Sequence, residues 1–247
     1  MYFDFSKIFH RASKSLAGYS GYLIPKNSAE WPHTWKTTFY KSYDKMPHLP
    51  LPLPKKDSPF FTLIQNRESR IDFSATPISI DELSELLKYS CGETQALSNG
   101  RVRRAQPSGG MRFPIETYVL VFKDTPDLPA GAYHYNVQKH SLHVLHQQPF
   151  SKEDIAGLFI YEWVQGASIA LVYTSVFSRS QAKYGQRGYR FILLEAGHIG
   201  QNVYLASESM GLICCALGAT RDEELESFLH IDGESESVVY AIGLGKK

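Results

Sequence analysis

The chain has 247 residues, with 26 Lys and Arg against 25 Asp and Glu and a formal net charge of +1. That length can bury a substantial core, as one large α/β domain or two small ones. The balanced charge leaves no global footprint for nucleic acid or an anionic membrane surface. No apolar stretch is long enough to span a bilayer or to serve as a signal peptide near Met1, so a soluble, cytoplasmic protein is expected.

Seven of the 13 prolines fall between Pro25 and Pro59, most densely in Pro47-His48-Leu49-Pro50-Leu51-Pro52-Leu53-Pro54. Fixed φ values and missing donors keep such a segment out of a central strand or helix. Trp31, Trp35, Phe39, Tyr40 and Tyr43 make it too apolar for a free tail. Residues 1–59 therefore read as an extended arm that wraps a surface, its own or a partner's, and residues 60–247 as the main domain. Ser79-Ile80-Asp81-Glu82 is a capping box, followed by Leu83, Leu86 and Leu87 on one face, which predicts a helix over about 80–90 that ends near Cys91.

Thr117 to Phe122 is a continuous β-former run and predicts a buried strand. Ala132 to Tyr135 and Ser141 to Leu145 flank a short polar turn and predict a hairpin. Ser151-Lys152-Glu153-Asp154 caps a second helix, and Ile169 to Tyr173 is another buried strand. A long helix is predicted from about Tyr189 to Met210, stopping at Gly211. Its apolar residues Ile192, Leu193, Ala196, Ile199, Val203, Leu205 and Ala206 cover more than one face, so it is buried in a core or across a dimer interface. A strand (Ile213 to Leu217), a helix (about 221–229) and a last strand (Val238 to Ile242) follow. The pattern is α+β, with a mixed sheet flanked by helices.

Cys91, Cys214 and Cys215 lack a CxxC spacing and read as small core hydrophobes. His140, His143 and His146 cannot all face one way on a strand, so metal binding is not expected of them. Glu195 and His198 are i,i+3 neighbours on the long helix and read as a local polar pair. Neither GxGxxG nor GxxxxGK[ST] occurs, so no Rossmann or phosphate-loop site is supported.

Three segments carry chemistry. Arg67-Glu68-Ser69-Arg70 offers two guanidiniums and a hydroxyl that can grip a phosphate, although an exposed turn of this composition is also ordinary. Pro107-Ser108-Gly109-Gly110 is turn chemistry that brings backbone N–H groups close to a ligand, and it leads into a strand carrying Glu116. Lys183-Tyr184-Gly185-Gln186-Arg187-Gly188-Tyr189-Arg190 gathers three cations and two phenols at the threshold of the long helix. A helix entrance is electropositive, and a lysine desolvated there can serve as a base beside a proton-relaying phenol. A basic, solvated loop with a tyrosine anchor is the plainer alternative.

RxSR before a capped helix, PSGGxxxPIE into a strand, KYGxRGYR, LLEAGHIGQN and GLxxxALGA together resemble the nitroreductase-like flavoprotein superfamily. Within it, KYGxRGYR followed by LLEAGHIGQN is similar to the SagB-type dehydrogenases, flavin oxidases that turn azoline rings of ribosomal peptides into azoles. The resemblance spans about residues 60–245 and implies a nitroreductase-like fold with a mainly antiparallel sheet. It further implies FMN bound at a homodimer interface. Arg67, Ser69 and Arg70 match its phosphate and ribityl contacts. Pro107, Ser108 and Gly109 match a loop against the pyrimidine edge, from the opposite subunit. Gly218 and Ala219 match the backbone near flavin N5, and Lys183 and Tyr184 match the catalytic pair. The implied substrate is an azoline-containing peptide, and whether a cyclodehydratase complex must accompany the enzyme stays open. Two alternatives remain, an NAD(P)H-dependent nitro or quinone reductase and a flavin-bearing scaffold subunit.

Overall fold

The computed structural model describes residues 4–14, 27–36, 40–54 and 58–247. A helix, α1 (Phe5–Ser13), opens the chain, where the Asp4 carboxylate accepts hydrogen bonds from the N–H groups of Ser6 and Lys7. This corrects the expectation of an arm extended throughout, because Asp4 caps a helix whose Ser6 and His10 are buried. A single turn, α2 (His33–Lys36), follows. Residues 47–54 have no regular structure, and Leu49, Leu51 and Leu53 are exposed. The Trp35 side chain and Phe39, both read as arm aromatics, lie outside the described residues.

Regular structure resumes earlier than expected, at α3 (Pro59–Asn66), with Ser58 as N-cap and Pro59 in the first turn. In α4 (Ile80–Cys91) the Ser79–Glu82 capping box is present in both directions. A small hairpin, β1 (Glu93–Ala96) with β2 (Val102–Arg104), leads to β3 (Ile115–Val121), β4 (Gly131–Asn136) and β5 (Ser141–His146). Then come α5 (Lys152–Leu158), with its Ser151–Asp154 capping box, and β6 (Ile169–Val176). Next are α6 (Phe177–Tyr184), α7 (Arg187–Met210), β7 (Leu212–Leu217), α8 (Asp222–Phe228) and β8 (Glu236–Lys246).

The six-stranded sheet has the order β5-β4-β3-β6-β8-β7, and its neighbouring strands are antiparallel. Side chains alternate across the pleat, so β3 sends Val119 and Val121 to one face and Tyr118 and Leu120 to the other. The first face packs under α4 and α7 through Leu83, Leu86, Leu87, Ile192, Ile199 and Val203. The second packs against α5 and α8 through Ile155, Leu158 and Leu225. Continuous apolar strands follow from burial on both faces. Gly200 lets α7 sit low on the sheet, since a Cβ there would come within 2.6 Å of the Tyr240 ring. At its end, Gly211 takes the left-handed conformation (φ 68°) expected of a terminator.

His140 lies in the turn before β5 rather than on the strand, with φ 46°. It pairs with the Tyr135 hydroxyl at 2.7 Å and the Ser84 hydroxyl at 2.8 Å, while His143 stacks on His134 and His146 meets the Phe228 carbonyl. Among the described residues, no group of three His, Cys, Asp or Glu side chains is placed to hold a metal ion.

Candidate active site

The sequence-predicted residues fall into two clusters on opposite sides of α7. The first surrounds Tyr204, which sequence reasoning passed over. Its hydroxyl accepts from the Ala216 N–H at 2.9 Å and pairs with the Ser69 hydroxyl at 2.9 Å. The Arg67 guanidinium lies over its ring, 5.4 Å from the centroid. The Arg70 N–H donates to the Cys214 carbonyl, tying the Arg67–Arg70 turn to β7. Gly218 and Ala219 follow directly at the end of β7 and border a cleft of about 260 Å³, together with Phe9, Lys14, Tyr189 and Leu193.

This end fits a phosphate monoester. Two guanidiniums stand within four residues, with the Ser69 hydroxyl between them in sequence. Arg70 pairs with Glu68, an exposed carboxylate two residues away. Such a local surface pair contributes little and can be exchanged for a phosphate. Tyr204 is the polar member of the apolar run Val203-Tyr204-Leu205-Ala206, and that hydroxyl was the available clue to its role.

The second cluster joins the glycine loop to the lysine–tyrosine pair. Gly110 has φ 63°, and a Cβ there would land on the Tyr184 hydroxyl and within 2.9 Å of Lys183 Nζ. The Tyr184 ring meets Phe191 edge-on at 4.9 Å, and Phe191 also underlies Gly109. Lys183 and Tyr184 occupy the last turn of α6, not the mouth of the long helix, because Gly185 (φ 54°) breaks the chain before Arg187 opens α7. The electropositive entrance therefore belongs to residues 186–190, and the expected placement of the pair there is corrected. Lys183 is exposed in the single chain, so the desolvation expected of a base has to come from whatever covers it.

Beneath the loop, the Glu195 carboxylate is buried and accepts from Gln106 Nε2 at 3.3 Å. Burial raises its pKa, against hydrogen bonds from Ser108 and Gln106 that favour the ionised form. Glu195 thus faces the loop rather than pairing with His198. The Ser108 hydroxyl accepts from the Phe113 N–H at 2.9 Å and turns inward to Glu195.

Helix α1 braces the other side of α6. His10 is 8% exposed, with Nδ1 3.1 Å from the Tyr189 hydroxyl and Nε2 2.7 Å from Ser237 Oγ. Gln181 donates to Ser6 Oγ at 2.7 Å, and Lys14 forms a buried ion pair with Glu226 at 2.7 Å. Burial holds the His10 imidazole down at about 4, so it is neutral at pH 7.

A Methanocaldococcus jannaschii protein assigned to the nitroreductases is 31% identical over 169 residues, covering 68% of this chain and 82% of that protein. The trifolitoxin-processing protein TfxB of Rhizobium leguminosarum bv. trifolii is 31% identical over 172 residues, 66% of this chain, and the match spans 46% of TfxB. In fold, the chain superposes on a chain of the Escherichia coli microcin synthetase complex with truncated pro-microcin bound. The TM-score is 0.78 at 21% identity, over 98% of this chain and 92% of that one. No described helix is long and apolar enough to cross a membrane. The nitroreductase family model matches residues 64–246, from the helix before the Arg67 turn to the end of the last strand, and the chain belongs to that family of flavoproteins.

Proposed function

We propose that this protein is an FMN-dependent dehydrogenase that oxidises azoline rings, thiazoline or oxazoline, in a ribosomally made peptide to azoles. The observation that carries this reading is the meeting of the Lys183 ammonium and the Tyr184 phenol at Gly110 of the glycine loop. A base and a phenol sharing one small opening suit a reaction that removes a proton from a flat ring. Similarity to a trifolitoxin-processing protein adds a peptide-modifying context.

In this reading Arg67, Ser69 and Arg70 hold the phosphate of FMN, Gly218 and Ala219 border its N5 edge, and Pro107, Ser108 and Gly109 close on its pyrimidine edge in a homodimer. FMN, when bound, supplies the hydride acceptor for one ring carbon, a role that no side chain can fill. Lys183 takes the proton from the adjacent carbon, the former peptide Cα. Tyr184, held at 90° to Phe191, orients the ring against Gly110. Covering Lys183 with substrate and a second subunit strips its solvent, which is what turns a surface amine into a base.

Lys183→Ala tests the reading. It should retain FMN and the dimer, yet lose azoline oxidation by roughly 10²–10⁴-fold, the usual worth of a general base. Full azole formation by that variant would leave a reductase. The similarity to the M. jannaschii protein favours this second reading, in which NADH or NADPH reduces the flavin rapidly and Lys183 is dispensable.

A further inference from the structure

Resting on the functional reading above, we infer that the peptide substrate is acidic beside its azoline ring, its carboxylates seated on a rim of five arginines around Lys183 and Tyr184. Residues 94–115 and 163–194 contain eight basic residues and not one Asp or Glu. The near-neutral total of the chain therefore conceals a separation of charge. The fold brings these two acid-free stretches together. Arg101 donates to the Gly110 carbonyl at 2.8 Å, and a Cβ on Gly110 would stand 2.9 Å from Lys183 Nζ, so both cations reach one residue. Arg103 stands on β2, two residues after Arg101. Arg112 donates to the carbonyl of Arg179, one helical turn before Lys183. Arg187 lies one turn before Phe191, whose ring meets Tyr184 and underlies Gly109, and Arg190 stands beside Phe191.

Glu116 and Glu195 support the loop and do not neutralise this rim. Glu116 is held by Arg179 and His134, and Glu195 is buried. Among the described residues, no acidic side chain forms an ion pair with Lys183 or with any of the five arginines, all of which are exposed. Like charges gathered around one opening repel one another, and a surface shaped by stability alone intersperses both signs. An arriving carboxylate relieves that repulsion, and guanidiniums grip carboxylates with paired hydrogen bonds.

The rim suits a peptide better than a nucleic acid. Its rings are already covered, Phe113 by Arg104 and Phe191 by Gly109 and the edge of Tyr184. Unstacked bases thus find no platform, and an extended acidic peptide needs none. Because α6 and α7 pack side by side, the rim is about two helix widths, roughly 20 Å, across. About six extended residues cover that span, so Asp or Glu within about six residues of the ring would reach the arginines.

Fluorescence anisotropy on the flavin-loaded protein provides the test. The probes are labelled Gly-Glu, Gly-Gln and Gly-Lys repeats of about eight residues, long enough to cross the rim, and an oligothymidylate of similar charge to the first. The Gly-Glu peptide should bind at least tenfold more tightly than the other two peptides, since each exposed pair contributes a factor of up to about five and several act together. Raising the salt from about 0.05 M to about 0.5 M should erase that margin. Joint replacement Arg103→Gln, Arg187→Gln and Arg190→Gln should erase it too, with flavin content and melting temperature unchanged. A water-soluble carbodiimide should couple the bound peptide to Lys183, the one lysine of the two stretches, as mass spectrometry of a digest reports. Equal binding of the Gly-Glu and Gly-Gln peptides, coupling that avoids Lys183, flavin loss in the triple variant, or tighter binding of the oligothymidylate overturns the inference. Turnover is scored separately, on thiazoline peptides flanked by Glu or by Gln. The Glu flank should lower KM at least tenfold at equal kcat, and equal KM values overturn the inference. Wild-type protein that oxidises neither peptide removes the azoline reading, while binding and coupling still decide whether the rim takes acidic peptides.

Discussion

Lowering the pH from 7 to 5 should loosen α1 from the body of the domain, through His10. The Ser237 hydroxyl donates to Glu226, so it accepts from His10 Nε2–H, and Nδ1 is left to accept from the Tyr189 hydroxyl. A neutral ring satisfies both partners, and a protonated one does not. Burial, and to a lesser degree the Lys14 ammonium, lower the His10 pKa from 6.5 to about 4, while Glu226 opposes them. Above pH 6.5 the ring is neutral whether docked or released, and docking is at full strength. As pH falls toward 4 the released ring gains a proton that the docked one refuses, and docking weakens. For those two values the loss between pH 7 and 5 is about 2 kcal/mol. The cleft beside the ring admits solvent, which reduces the figure to about 1–2 kcal/mol, a fivefold to thirtyfold shift toward release. Amide hydrogen exchange of residues 5–13, corrected for its intrinsic pH dependence, measures this directly. In His10→Gln the pH-dependent part should vanish. Equal protection at both pH values, or the same loss in His10→Gln, would refute the reasoning.

Other expectations concern the two clusters. Arg67→Ala should weaken FMN retention at least tenfold, since a hydrogen bond to a charged group contributes about 1.5–3 kcal/mol; flavin absorbance after dialysis reports it. Gly110→Ala puts a side chain into left-handed backbone and onto the tips of Tyr184 and Lys183, and should cut turnover by about 10²-fold with flavin retained. Unchanged kinetics would mean that the contact is idle. Because burial raises the Glu195 pKa, the acid form favours the fold and that contribution is lost as pH rises through the raised value. Glu195→Gln should therefore flatten the fall of melting temperature with rising pH, and superimposable profiles would contradict this.

What the sequence makes legible is local. Both capping boxes, at Ser79 and Ser151, form as their spacing requires, and β3 and β6 form where β-branched and aromatic residues run without a break. The N-terminal helix is also written locally, in Asp4 followed by Phe5, Ile8 and Phe9, although the prolines downstream give residues 1–59 as a whole the composition of an extended arm. Helix α6 was hidden because Phe177 to Tyr184 has no apolar stripe: only Phe177 and Ser180 are buried. Contacts such as Glu195 to Gln106, 89 residues apart, leave no periodic trace. The hairpin of β1 and β2 is mostly charged or exposed, so it lacks the alternation by which strands are recognised.

The glycine loop also explains why bulky residues occupy positions where glycine would be easier. Gly110, Met111 and Phe113 have φ values of 63°, 53° and 46°. Each non-glycine residue in that region costs on the order of 1–3 kcal/mol. Side chains from several elements hold the shape. Arg101 donates to the carbonyls of Gly110, at 2.8 Å, and Met111, and Arg179 donates to that of Phe113 at 3.2 Å while pairing with Glu116. The Arg112 Nε donates in turn to the Arg179 carbonyl at 2.6 Å. Burial works against ionisation of Glu116, but His134 and Arg179 outweigh it and hold its pKa low, so the anchor for Arg179 stays charged. Arg104 lies over the Phe113 ring at 4.5 Å. Glycine at 113 would relieve the backbone but give up that stack, and the loop would trade strain for mobility. Charge-assisted bonds of about 1.5–3 kcal/mol each are enough to offset the strain. The loop is thus held in one shape by its own contacts, with the N–H groups of Met111 and Phe113 bonded back to Ser108.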